Sequence, residues 1–200
     1  MLEALVISQV LLWVAVIVLS VLCLALARQV GVLHERVAPA GALSMNQNLQ
    51  VGAKAPIISA TTLDGEELEI GKIAAEGRST LIFFLSPDCP ICKQLLPMVR
   101  SSLSREKKWI NGIIASDGGL EAIHRDIAAQ HKLSNIPYVL SEELGRAYGV
   151  SKLPYAVLID EKGLIASMGM VNSREHIESL FEAKERGVAS IQDFIANKKN

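Results

Sequence analysis

"TLIFFLSPDCPICKQLLP", residues 80–97, sets the strictest condition on what this chain can fold into. Thr80 to Ser86 is a short, nearly unbroken apolar run, which suits a strand buried on both faces. Cys89 follows almost at once. Pro90 suits the first position of a helix, where its missing N–H would have no partner anyway. Helix-compatible sequence continues through "ICKQLLPMVRSSLS", and Pro97 is expected to kink that helix or end its first part. A strand buried on both faces needs cover on both. The chain is therefore predicted to be α/β, with Cys89 and Cys92 where strand turns into helix.

The flanking sequence extends this pattern. "APIISATTLDGEELEI" reads as a hairpin with its turn at Asp64-Gly65. "KWINGIIAS" and "IPYVL" read as strands. Between them, residues 119–132 read as a helix with Leu120, Ile123, Ile127 and Ala128 near one face. Ser141 is a plausible N-cap for a short helix. "LPYAVLID" is a further apolar strand, and the turn "DEKG" sends "LIASMGM" back antiparallel. Asn172 with Glu175 resembles a capping box for a last long helix to about Arg186, with a short helix expected at 190–196. Alternating strands and helices imply a parallel sheet with a trailing antiparallel edge strand.

The N-terminus is a different object. From Ala4 to Ala27 no residue is charged, and this run of 24 residues raises the mean hydropathy of the whole chain to +0.31. About 20 apolar residues suffice to cross a bilayer as a helix. A cleaved signal peptide would have a basic start and a shorter apolar run, although Ala25-Leu26-Ala27 resembles a cleavage site. The expected organisation is a transmembrane anchor over residues 1–28, a linker over 29–50 rich in turn-forming and polar residues, and a folded domain over 51–200. Arg28 and Arg36 follow the span and no basic residue precedes it. Those two charges alone favour a cytoplasmic domain, a weak bias with Glu35 between them.

Net charge is −1, with acidic and basic residues intermixed, so no basic stripe suggests nucleic acid. Three cysteines cannot build a disulfide framework, and Cys23 lies in the apolar run. That leaves Cys89 and Cys92. A structural zinc site needs four ligands, yet there is no second cysteine pair, and His34, His124, His131 and His176 are scattered. Copper is no better supported. Two inert buried thiols are the remaining alternative. The position at a strand end argues against it, because sites form at the C-terminal ends of parallel strands.

A helix N-terminus carries about half a positive charge and unpaired N–H groups. Both would stabilise a thiolate at Cys89, and C-x-x-C motifs at helix starts lower thiol pKa from about 8.5 into the range 3.5 to 7.5. Cys92, one turn further in, would be shielded. Cys89 is thus the expected attacking sulfur and Cys92 the resolving one, with Pro90 and Ile91 between them tuning the redox poise.

These residues resemble the thioredoxin-like family. "FFLSPDCPICKQLLP" matches its strand, C-x-x-C and helix, with Pro97 at the position of the family's kink proline. "YGVSKLPYAVLID" is similar to the segment that ends in the family's cis-proline. The resemblance implies a central mixed sheet flanked by helices. It also implies a cis Leu153–Pro154 bond facing the cysteines, where Leu153 and Pro154 would align a substrate backbone, and no cofactor or metal. This chain departs from the common pattern in having Asp88 where most members have Trp, and Phe83 where thioredoxins keep a buried acid. Ser86 matches a peroxiredoxin motif but Ile82 replaces its proline, so peroxidase activity is not expected.

With its single N-terminal span and "LSPDCPICKQLLP", the chain is most similar to the MauD family of methylamine dehydrogenase accessory proteins. That resemblance implies a tethered thiol–disulfide oxidoreductase or isomerase in the periplasm, anchored in the inner membrane. Its client would be the disulfide-rich small subunit of methylamine dehydrogenase, and a membrane electron-transfer partner would recycle the pair. It outweighs the two-charge topology bias. The alternatives are a thiol reductase for cytochrome c maturation and a non-catalytic assembly chaperone on the same scaffold.

Overall fold

The computed structural model describes residues 7–9, 11–23, 49–73 and 77–186. The chain divides into two compact units, Met1–Ala42 and Leu43–Asn200. In the first, residues 7–9 and 11–23 are helical with exposed side chains. The Ser20 hydroxyl donates to the Val16 carbonyl, so its polarity is satisfied within the helix. Among the described residues no helix is long and apolar enough to cross a membrane. The ends of the charge-free run, most of the expected linker and the expected helix at 190–196 lie outside them.

The second unit is built on its sheet. β1 (Ile58–Thr61) and β2 (Glu67–Ile70) form the expected hairpin, with Gly65 at φ +86° in its turn. β3 (Ser79–Phe84) leads into α1 (Pro90–Arg105), then β4 (Ile110–Ser116), α2 (Glu121–Gln130), β5 (Tyr138–Leu140) and α3 (Glu142–Ala147). β6 (Tyr155–Ile159), β7 (Ile165–Met170) and α4 (Arg174–Arg186) complete it. The five-stranded sheet has the order β5-β4-β3-β6-β7. β3, β4 and β5 are parallel; β6 is antiparallel to β3, and β7 to β6.

Sequence order alone suggests one antiparallel strand, and the structure has two. α3 is six residues long, about 9 Å of helix, too short to carry the chain back across the sheet. β6 therefore starts at the edge where β5 ended. This puts Pro154 beside the end of β3, since Tyr155 pairs with Phe84.

β3 explains its own composition. Leu81 and Phe83 point into a core shared with Leu95, Leu96 and Val99 of α1 and with Ile177 and Phe181 of α4. Ile82 and Phe84 point the other way, onto Ile70 of the hairpin and Leu144 and Tyr148 of α3. Period-two alternation between two covered faces yields a continuous apolar run. α1 passes through Pro97, which is exposed.

Two local expectations are corrected. On α2 the buried residues are His124 and Ile127, while Leu120 and Ile123 are 73% and 44% exposed. Apolar periodicity misplaces the face because a histidine with both ring nitrogens bonded occupies it. At α4 the cap is Ser173, whose hydroxyl accepts from the His176 N–H at 3.4 Å, in place of Asn172. The Ser141 cap is as expected, its hydroxyl accepting from the Leu144 N–H at 3.1 Å.

Candidate active site

β3 ends against β4, with the Leu85 N–H donating to the Ala115 carbonyl at 2.9 Å. The chain then turns sharply. The Ser86 hydroxyl accepts from the Asp88 N–H at 3.3 Å, and the Ser86 carbonyl from the Cys89 N–H at 3.1 Å. Cys89 has extended backbone, φ −91° and ψ 106°, the conformation of an N-cap, and Pro90 takes the first helical position. In place of the usual capping oxygen, the Cys89 sulfur accepts the Cys92 N–H at 3.1 Å.

The two sulfurs are joined in a disulfide, with the α-carbons 5.2 Å apart. That separation lies within the range that can be bridged without moving backbone. Cys92 is fully buried in the α1 core, whereas Cys89 is part-exposed and packs on its margin. Pro90 and Ile91 face solvent, Ile91 being 49% exposed. Asp88 and Lys93 are also exposed and flank the pair with opposite charges. Phe83 lies in the same cluster as Cys92, so at that position an aromatic ring, not a carboxylate, underlies the inner sulfur.

The Leu153–Pro154 peptide bond is cis. Pro154 is buried, and its carbonyl accepts from the Val171 N–H at 3.1 Å. Leu153 is half-buried and packs against the same cluster as Cys89 and Cys92. The structure thus brings Cys89, Cys92, Leu153 and Pro154 to one end of β3 and β6, with Pro90 and Ile91 on the open side. Pro97 lies two turns further along α1 and supports the helix only. Among the described residues no three His, Cys, Asp or Glu side chains converge as a metal site.

One feature escaped the sequence reading. Beyond β4 the chain passes Gly118 and Gly119, both at positive φ (121° and 108°), into α2. His124 holds this loop from beneath, with Nε2 2.8 Å from the Gly118 carbonyl and Nδ1 2.8 Å from the Tyr138 hydroxyl. The carbonyl can only accept, so Nε2 carries the proton and the tyrosine donates to Nδ1. Burial pushes the Tyr138 hydroxyl far above the ordinary tyrosine pKa and keeps it a donor. The available signal was a lone polar residue three positions before Ile127, on the face opposite the expected stripe.

A thioredoxin-like domain family matches residues 67–184. A methylamine utilization protein MauD from Methylobacillus flagellatus is 43% identical, over 94% of this chain and 90% of its own length. A thiol-disulfide oxidoreductase ResA of Bacillus cereus is 26% identical over 62% of this chain and 72% of its own. Among solved structures, the thioredoxin domain of a thiol-disulfide oxidoreductase from Bacteroides vulgatus superimposes with a TM-score of 0.58. It is 20% identical and covers 70% of this chain and 99% of its own.

Proposed function

The chain belongs to the MauD family of thioredoxin-like thiol–disulfide oxidoreductases, and from that premise we propose that it exchanges disulfides with the small subunit of methylamine dehydrogenase during its maturation. The observation that carries this reading is the Cys89–Cys92 disulfide at the mouth of α1, its outer sulfur reachable and its inner one buried.

The exchange needs no other group. In the oxidising direction a client thiolate attacks the Cys89 sulfur and Cys92 leaves as a thiolate. A second client thiolate then attacks its own mixed-disulfide sulfur and displaces Cys89. The client gains a disulfide, and the pair takes up two electrons and, at neutral pH, the protons. Run in reverse, the Cys89 thiolate opens a wrong client disulfide, and Cys92 or another client thiol resolves the adduct. The Cys92 N–H bonded to Cys89 marks which sulfur holds negative charge best. Leu153 and Pro154 form the ledge beside the pair on which an extended client segment lies.

The domain acts on the periplasmic side of the inner membrane, held there by residues 1–28 and recycled by a membrane electron-transfer partner. The charge-free run of 24 residues supports the anchor. Tethering raises the concentration of the pair near emerging clients. The test is a deletion strain complemented with Cys89→Ser. Amine oxidation is expected to be lost while cytochrome c content stays normal. Loss of both would favour cytochrome c maturation, and normal amine oxidation would end the redox reading.

A further inference from the structure

At the end of β3 away from the cysteines, roughly 20 Å from them by strand rise, lies a cavity of about 810 Å³. Its walls come from the segment before β3, the second half of α1, the start of β4 and the turn after α2. Arg78, Arg100, Lys107 and Lys132 line it, and none of its lining residues is acidic. The whole chain has 20 basic and 21 acidic residues, so four cations without an acid is a concentration of one sign. Ser104, Ser134 and Asn135 add neutral donors.

The cations are set in place, not merely nearby. The Arg78 guanidinium donates to the Lys107 carbonyl at 3.2 Å, and that of Arg100 to the His131 carbonyl at 3.2 Å. Each bond fixes a fork while leaving its charge and other N–H groups available. Among the described residues neither Lys107 nor Lys132 pairs with a carboxylate.

Lys132 is the telling member. α2 ends in a Schellman turn, with Leu133 N–H donating to Ala128 carbonyl at 2.9 Å and Lys132 N–H to Ala129 carbonyl at 3.1 Å. Lys132 occupies the left-handed position of that turn at φ +54°, the one non-glycine residue at positive φ among the described residues. Glycine is the physically favoured residue there. A lysine costs stability and puts a cation on the cavity wall.

We propose that this cavity binds a phosphate group, carried either by an anionic lipid headgroup or by a free phosphate compound. Two guanidinium forks and two ammonium groups match a compact anion with several oxygens, and hydroxyl and amide donors complete its shell. The volume is that of an ordinary small-ligand site. The plain alternative is that Lys107 and Lys132 only offset the negative C-terminal ends of α1 and α2. That alternative gives no reason for lysine over glycine at 132, and it predicts no ligand.

The test uses the full chain in an uncharged detergent at low ionic strength, without any thiol readout, so its outcome is independent of the redox reading. Acylation of each lysine by an amine-reactive reagent is followed by mass spectrometry. Inorganic pyrophosphate is expected to slow Lys107 and Lys132 several-fold and to leave exposed Lys152 and Lys162 unchanged. Lys132→Gly, which should fold at least as well, is expected to raise the pyrophosphate concentration protecting Lys107 by about fivefold, the weight of one unit charge at contact distance in water. Protection in micelles containing phosphatidylglycerol, with no pyrophosphate, would identify the headgroup as a source; protection by pyrophosphate alone would identify the free compound. No protection by either, equal slowing of Lys152 and Lys162, or an unchanged Lys132→Gly titration would overturn the proposal.

Discussion

The main-chain N–H of Cys92 points at the sulfur of Cys89, 3.1 Å away. One residue of the pair thus supplies the donor that caps the other, and the same bond is available when the disulfide is open. Burial adds to the asymmetry, since Cys92 is sealed in the core. In the reduced protein Cys89 is expected to alkylate about tenfold or more faster than Cys92 at pH 7. Peptide mapping after brief exposure to iodoacetamide measures the ratio, and equal labelling would contradict the assigned roles.

Asp88 brings a negative charge next to this sulfur, where solvent weakens but does not abolish its effect. Asp88→Asn should lower the Cys89 thiol pKa by about half a unit. The alkylation rate of reduced Cys89 against pH reports it: the midpoint moves down, and the rate just below that midpoint rises. A midpoint that moves up would mean that Asp88 acts through the turn it shares with Ser86 and not through its charge.

Gly71 tests the seam between the hairpin strand β2 and the loop before β1. It lies at φ +90°, and a methyl group there would fall 2.0 Å from the Pro56 carbonyl oxygen and 2.8 Å from the Tyr148 hydroxyl, which itself donates to that carbonyl. Gly71→Ala is expected to cost about 2–4 kcal/mol, clash added to backbone strain. Gly65 has a similar φ of +86° with open space around it, so Gly65→Ala should cost only about 1 kcal/mol. Urea denaturation of the two variants measures the difference.

Lys184 joins α4 to the sheet. Its ammonium is 2.7 Å from both the Ser79 hydroxyl and a Glu161 carboxylate oxygen, and lies 4.9 Å from the centre of the Trp109 ring. The hydrogen bond from Lys184 holds the Glu161 carboxyl below the ordinary glutamate pKa. A lowered folded-state value means that this stabilisation is complete above the ordinary value and fades as pH falls through the lowered one. Both groups are partly solvated, so the contribution is under about 1 kcal/mol. Glu161→Gln should therefore lower the melting temperature slightly at pH 7 and make no difference in strong acid. At the other extreme, burial raises Tyr138 and Tyr148 far above their usual values. Stability should then fall once pH passes about 10, where the unfolded tyrosines ionise first.

Much of the site was readable because its parts are local in sequence. Thr80 to Pro97 contains strand, turn, cysteines and helix start in one piece, so spacing alone places Cys89 at a helix mouth. Pro154 is 62 residues beyond Cys92, and only the family pattern linked it to the pair; the Tyr155–Phe84 pairing supplies the physical reason. The direction of β6 was not legible, because it depends on how far six-residue α3 carries the chain. His124 was missed because periodicity scores apolar residues, and its burial is decided by Tyr138 and the Gly118 carbonyl, partners that sequence spacing does not reveal. The four cations of the far cavity come from three separate segments, and no local pattern unites them.

The most direct measurement is a disulfide trap. Cys92→Ser is expressed with methylamine dehydrogenase and the products are mapped by non-reducing electrophoresis and mass spectrometry. The expected product is a reductant-sensitive adduct joining Cys89 to a cysteine of the small subunit, absent when Cys89 is also replaced by Ser. No adduct, with dehydrogenase maturing normally in the doubly substituted strain, would show that this sulfur pair does not exchange with that client.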